Sequence, residues 1–205
     1  MHIGLDFDNT IVSYDALFHK VALEGGWITN QVPVTKISVR EHLRSIGKES
    51  VWTEMQGYVY GARMDEALAY PGVLDCLSWA RELSIAVSIV SHKTRHPFLG
   101  EPYDLHAVAA HWMDLYLKDA KGPLVQSNQV YFELTKESKV NRIADIGCTV
   151  YVDDLPEILN ANGFPVNTQK ILFDPDGHHL AQNLPRACSW SEVHQQLESQ
   201  WVTAA

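Results

Sequence analysis

The sequence is poor in cysteine, has no long apolar run and carries no surplus of basic charge. Cys76, Cys148 and Cys188 are the only cysteines in 205 residues. Three is an odd number, and their wide spacing fits neither a disulfide framework nor a zinc motif. All three are read as small core or near-core residues in a reduced, cytoplasmic setting. No apolar stretch approaches the ~20 residues of a membrane span. The chain opens directly on a strand-like segment, so no secretory leader is expected. Lys and Arg number 16 against 25 Asp and Glu, a net charge of -9. Nucleic acids and anionic membranes select clustered Lys and Arg, so neither is expected as a partner. A small anionic substrate remains compatible, because a local site can be positive on an acidic protein. Internal repeats and low-complexity segments are also missing. The expected assembly is a monomer or a homodimer.

What is present is ordinary globular composition, 46% hydrophobic and 20% charged, in a chain long enough for one full core plus a small inserted module. Residues 2–7 read as a short buried strand that ends in Asp6 and Asp8. Two acids one residue apart at a strand end repel each other, so something must offset them, and a divalent cation is one candidate. The plain alternative is a polar turn that caps the next helix. Residues 14–70 hold three helical patterns broken by Gly25-Gly26, Pro33 and Gly47, with no strong strand. This stretch is expected to be a helical insertion. From Pro71 onward strands and helices alternate: a helix along Val73, Leu77, Ala80 and Leu83; a strand at 85–90; a helix from about Asp104 to Lys118; strands at 129–134, 148–152 and 171–173, with helices at 138–146, 155–161 and 191–200. Continuous apolar strands alternating with helices predict an α/β fold, a parallel sheet of about five strands covered on both faces. The expected architecture is therefore a Rossmann-like three-layer α/β/α core of residues 1–13 and 71–205, carrying a helical insertion of residues 14–70.

In such a sheet, ligands gather outside the carboxyl ends of the strands. Those ends carry Asp6 and Asp8, then Ser91, then Asp153 and Asp154, with Lys139 near the start of the preceding helix and Lys136 as its rival. In this order the set resembles the haloacid dehalogenase-like (HAD) superfamily. The resemblance rests on Asp6-Phe7-Asp8-Asn9-Thr10 after a strand, Ile89-Val90-Ser91 at a strand end, Lys139 in a helix start, and Val152-Asp153-Asp154 at a strand end. It covers the chain apart from residues 14–70, and Asp153-Asp154 stands where Gly-Asp is commoner. The resemblance implies a Mg²⁺-dependent phosphomonoester hydrolase acting on a small phosphorylated substrate such as a sugar phosphate or nucleotide. It implies roles as well. Asp6 is the nucleophile that forms an aspartyl-phosphate, and Asp8 the general acid and base. Phosphate is held by Ser91, by Lys139 and by the segment Phe7, Asn9 and Thr10, with His92 a further contact. The metal ligands are Asp6, Asp8 and Asp154, with Asp153 either a ligand or hydrogen-bonded to Lys139. The insertion occupies the place of the superfamily's substrate-selecting cap.

Two other functions share these motifs: a phosphomutase, and a phospholigand-binding protein without turnover. Residue by residue, simpler readings also exist. Ser91 could be a strand-end hydroxyl, Lys139 a solvated helix residue, and Asp153-Asp154 a helix cap. The run His92, Lys93, Thr94, Arg95 and His96 reads as an exposed polar loop. His178 and His179 read as a surface turn, since adjacent histidines diverge and no third ligand is evident. Trp27, Trp52, Tyr58 and Tyr60 read as packing within the insertion rather than as a substrate pocket.

Overall fold

The computed structural model describes residues 1–204. The chain divides into two compact units. One comprises residues 1–11, 69–93 and Leu117 onward, and the other comprises residues 12–68 and 94–116.

The first unit is built on a six-stranded sheet: β1 (His2–Leu5), β2 (Ala86–His92), β3 (Val130–Glu133), β4 (Val150–Asp153), β5 (Gln169–Phe173) and β6 (Arg186–Ala187). The spatial order is β6-β5-β4-β1-β2-β3, and every pairing is parallel. About five strands are read from the sequence. The sixth, Arg186–Ala187, is a two-residue edge strand, too short to leave a pattern of its own. Four helices belong to this unit: α4 (Val73–Glu82), α6 (Lys136–Asp145), α7 (Pro156–Leu159) and α8 (Trp190–Ala204). Both faces of the sheet are covered, as side-chain alternation on β5 shows. Leu172 joins a cluster with Val140, Ile143, Ile158 and Leu159 from α6 and α7. Its neighbour Phe173 points the other way, its ring 6.1 Å from that of Trp190 at the start of α8. This is the three-layer, Rossmann-like arrangement.

The strand order decides where a site can form. The chain winds outward from β1 to β2 and β3, then crosses through α6 to β4 on the other side of β1. The winding reverses between β1 and β4, and their carboxyl ends open the crevice in which ligands of such sheets bind.

One packing detail joins these strands below the crevice. Tyr151 on β4 lies beside Gly4 on β1. Its buried ring reaches β2, where the hydroxyl donates to the Val90 carbonyl at 2.5 Å. A Cβ on residue 4 would stand 2.5 Å from Tyr151 Cδ2 and 2.6 Å from Cys148 Sγ. Only glycine leaves room for the ring to cross. Overpacked cores lose about 1–3 kcal/mol, so Gly4→Ala is expected to lower the unfolding free energy by about 2 kcal/mol in urea titrations. A loss below about 0.5 kcal/mol would mean that the ring and the thiol move aside freely.

The second unit is helical: α1 (Asp15–Glu24), α2 (Lys36–Ser45), α3 (Glu49–Tyr60) and α5 (Leu105–Tyr116). Thr35 caps α2 by accepting from the Ser38 amide, and Gly25 and Gly47 follow the ends of α1 and α2 where sequence places the breaks. An aromatic cluster holds α1 to α3. Phe18 lies 5.0 Å from Trp52 and 5.6 Å from Tyr60, and Tyr60 lies 4.9 Å from Tyr14, between ring centres. Trp52 is therefore a core residue of this unit, while Tyr58 is exposed and stacks on Arg63. Arg63 itself bridges Glu24 and Glu66.

The units do not follow the expected limits of 14–70 against the rest. The helix read from Asp104 to Lys118 as part of the α/β core packs instead with the inserted helices. Trp112 Nε1 donates to the Ala67 carbonyl at 2.9 Å, and the Tyr116 hydroxyl to that of Asp65 at 2.6 Å. The loop before it lies on α3, where a Cβ on Gly57 would stand 2.7 Å from the Pro97 side chain. The apolar face of α5 is the same whichever unit buries it, so its spacing could not assign it. Among the described residues, no helix is long and apolar enough to cross a membrane.

Candidate active site

The site belongs wholly to the α/β unit, at the carboxyl ends of β1, β2 and β4. β1 stops at Leu5 and the chain turns, with Asp6 still tied to β4 through its amide, which donates to the Val152 carbonyl at 2.9 Å. Asn9 takes a left-handed φ of 59°, a conformation that asparagine tolerates better than most residues. The turn is fastened at its far end by Trp190 Nε1, which donates to the Thr10 carbonyl at 2.8 Å. These anchors set Asp6 and Asp8 on a loop whose backbone is held at both ends.

Lys139 lies at the centre. α6 begins with a capping box, in which Thr135 accepts from the Ser138 amide while Ser138 accepts from the Thr135 amide. That start places Lys139 one turn into the helix, facing the sheet. Its ammonium lies 2.6 Å from Asp6 Oδ1 and 2.6 Å from Asp153 Oδ2, and all three side chains are almost fully buried. Burial alone would lower the pKa of the lysine. The charges of Asp153 and Asp6 outweigh it and hold the ammonium above its ordinary value. For Asp153 burial dominates. It raises the carboxyl's pKa against the pull of Lys139, and the negative charge of Asp6 adds to the rise. Two carboxyl groups thus share one ammonium.

Asp153 faces Lys139 through Oδ2 as an ion pair, and its Oδ1 accepts from the Leu155 amide at 2.9 Å. Asp154 is half-buried beside it. Asp6, Asp153 and Asp154 each place a carboxylate oxygen within 4.8 Å of the others'. Three hard oxygen donors so close together fit a cation such as Mg²⁺. With Asp153 spent on Lys139 and Leu155, Asp6 and Asp154 are the carboxylates best placed to hold one. Lys136, the rival lysine, points elsewhere and pairs with the exposed Glu157 at 2.5 Å.

Asp8 is held separately. Lys93, one residue beyond the end of β2, places its ammonium 3.0 Å from Asp8 Oδ1 and 2.8 Å from Oδ2. The sequence reading assigned Lys93 to an exposed loop, but it is buried. The missed signal lies in the strand. β2 runs on through Ser91 to His92, and the Lys93 amide still donates to Glu133 on β3. A residue that continues a central strand beside two acids is not on a free loop.

The remaining residues named from sequence fall as follows. Ser91 is buried on β2, two residues beyond Ile89, the partner of Leu5. The Phe7 ring is packed in the core, 6.0 Å from Phe132, so only its backbone could meet a ligand. The Thr10 hydroxyl is buried with no hydrogen-bond partner among the described residues. His92 is half-buried at the end of β2. His178 and His179 lie apart from this cluster, in a turn organised by Asp174, whose oxygens accept from both of their amides.

The winding of the sheet and the four clustered sequence segments define a haloacid dehalogenase-like fold. The comparisons agree on the fold. No family model matches the chain, and no curated protein matches it either. Solved structures do. The chain is similar to a HAD-family hydrolase from Deinococcus radiodurans determined with bound phosphate and sodium, at 14% identity and a TM-score of 0.61, covering 97% of this chain and 95% of that one. A HAD-superfamily hydrolase from Ehrlichia chaffeensis is similar at 12% identity and a TM-score of 0.51, covering 97% and 96%. An L-2-haloacid dehalogenase matches at 11% identity and a TM-score of 0.51, covering 96% and 98%. Likeness at this level speaks for the fold, and the reaction has to be argued from the side chains.

Proposed function

We propose that the protein is a Mg²⁺-dependent phosphomonoester hydrolase acting on a small phosphorylated metabolite, such as a sugar phosphate or nucleotide, with no nucleic-acid or membrane partner. The observation that carries this reading is the buried Asp6–Lys139–Asp153 triad, with Asp154 beside it and Asp8 on a separate lysine. A carboxylate nucleophile needs fixed aim and neighbours that tolerate a second anion. Lys139 supplies the aim by holding Oδ1 of Asp6, and it offers a buried positive charge to an incoming phosphoryl group. Asp6 and Asp154 would hold Mg²⁺, which when bound neutralises phosphoryl charge that two carboxylates would otherwise repel.

The chemistry then divides between two acids. Asp6 attacks phosphorus through its second oxygen, and the P–O bond to the leaving group breaks. Asp8 gives its proton to the departing oxygen. In the second half, Asp8 takes a proton from water as that water attacks the aspartyl-phosphate, which frees Asp6 and releases phosphate. The Ser91 hydroxyl and the amides after Asp6 hold the phosphoryl oxygens. The helical unit leaves the chain between Asp8 and Ser91 and again after Lys93, where a substrate-selecting cap belongs in this superfamily.

The likeness to a dehalogenase gives a second reading. It also uses a carboxylate nucleophile, but halide departs without needing a proton, which leaves Asp8 and its lysine without a task. One panel separates the two. Purified protein with Mg²⁺ is expected to release phosphate from at least one member of a set of sugar phosphates, nucleotides and phospho-amino acids, and no halide from 2-haloacids. Halide release, or phosphate release equal in folded Asp6→Asn, would reverse the assignment.

A further inference from the structure

Each of the two motif acids has its own buried lysine, and only Lys139 has a part in the chemistry described so far. We propose that Lys93 is the positioning residue for Asp8, fixing the plane of its carboxyl group so that proton transfer to the leaving oxygen occurs in the right geometry. The proposal deepens the phosphatase reading and rests on it.

The geometry supports it at three points. The base of the side chain is fixed, because the Lys93 amide continues the β2–β3 ladder with a 2.9 Å bond to the Glu133 carbonyl. The stem is enclosed: the side chain is 3% exposed, and the ammonium lies 5.6 Å from the centre of the buried Phe7 ring. The head meets both oxygens of Asp8, at 3.0 and 2.8 Å. A contact to one oxygen would leave the carboxyl group free to turn about its last bond, whereas a contact to both sets its plane. Asp8 itself is 20% exposed, so the group is held from the protein side and open on another. A flexible lysine gives up much of its rotamer freedom when fixed. Fixing one on a half-open carboxylate makes physical sense if that carboxylate must stay aimed.

Asp8 gives up a proton as the P–O bond breaks and afterwards takes one from water. Lys93 keeps the carboxyl group aimed for both transfers through its contacts to the two oxygens. It touches neither phosphorus nor the leaving group.

The test follows from what leaving groups need. 4-Nitrophenolate departs without a proton, whereas an alkoxide does not. Wild type, Lys93→Met, Lys93→Arg and Asp8→Asn are compared, with Mg²⁺, in the single-turnover rate of leaving-group release from 4-nitrophenyl phosphate and from the best alkyl phosphate of the panel, because the later hydrolysis of the aspartyl-phosphate is common to both esters. General acid catalysis is worth about 10²- to 10⁴-fold. Lys93→Met is expected to lose about 100-fold in this first step on the alkyl ester and less than about fivefold on the aryl ester, the same pattern as Asp8→Asn. Lys93→Arg keeps the charge and is expected to fall between. Equal losses of the leaving-group step on both esters, in variants whose melting shows them folded, would make Lys93 merely structural and overturn the proposal. So would an undiminished alkyl rate. If Lys93→Met does not fold, the alkyl-to-aryl ratio of Lys93→Arg decides. Wild type inert on every phosphate ester would instead remove the phosphatase reading, and the proposal with it.

Discussion

Lys139→Met is expected to damage stability and activity together, with the loss of stability growing as pH rises. The lysine is fully enclosed between Asp6 and Asp153. Removing one member of a buried ion pair leaves uncompensated charge and costs about 3–5 kcal/mol. In a chain of this size 1 kcal/mol is about 2–4 °C in Tm, so Tm should fall by roughly 6–20 °C near neutral pH. The sign of the pH effect follows from the acids left behind. Burial already raises the Asp153 carboxyl against the pull of Lys139. Without the ammonium, the folded-state pKa of Asp153 stands still further above its unfolded value. The variant is then least impaired at low pH, where Asp153 is protonated, and loses stability as pH rises through the raised value. Melting curves from pH 5 to 8, wild type beside variant, read this directly. A gap in Tm that stays flat or narrows with pH would mean that Asp153 is not held charged by Lys139. Phosphate release should be lost at every pH where the variant is folded.

The same residue shows how far the sequence could be read. The topology rule alone places Asp6, Asp8, Ser91, Asp153 and Asp154 at one edge of the sheet, because strand ends are legible from apolar runs that stop. The choice between Lys136 and Lys139 was not legible, since both stand in the first turns of one helix. The capping box of Thr135 and Ser138 decides it, because it fixes where α6 begins and hence which lysine faces the sheet. Lys93 was hidden for a related reason. Its neighbours, His92, Thr94, Arg95 and His96, are polar, and polarity over five residues reads as loop, yet the strand carries on beneath it. The ring of Tyr151 passing over Gly4 was also invisible, since a lone glycine in a strand signals close approach without naming what approaches. α5 is the clearest limit. An amphipathic helix states that it has a buried face and not which neighbour buries it.

The resemblance and the geometry contribute differently to the site. Motif order identifies which acids to examine. The structure adds that they are electrostatically partitioned: Asp6 shares Lys139 with Asp153, and Asp8 has Lys93. Two carboxylates one residue apart are tolerated because each has its own buried cation, even before any divalent ion is added. That partition also lets a nucleophile and a proton donor sit side by side without being interchangeable.

Asp6→Asn separates nucleophile from scaffold. The amide has nearly the shape of the carboxylate, and its oxygen can still accept from Lys139. Asn removes one of the two acids that share the ammonium, so the fold has less negative charge to compensate. Tm is therefore expected to stay within a few degrees of wild type, unlike that of Lys139→Met. Turnover is another matter. An amide oxygen does not displace an alkoxide from phosphorus, and removal of a covalent nucleophile elsewhere has lowered kcat by about 10⁶-fold. Phosphate release is expected to fall at least 10⁴-fold on the best substrate, by roughly that precedent. Asp6→Glu should fare little better, because the longer side chain moves the attacking oxygen by about 1 Å and misplacement on that scale can cost ~100-fold. Rapid acid quench adds a direct readout: wild type should carry acid-stable, hydroxylamine-labile phosphate on the chain during turnover, and Asp6→Asn none. Phosphate trapped on the folded Asn variant, or turnover within tenfold of wild type, would move the nucleophile away from Asp6. Activity lost together with the fold would instead make Asp6 part of the same structural unit as Lys139, and the division of labour argued for the triad would fail.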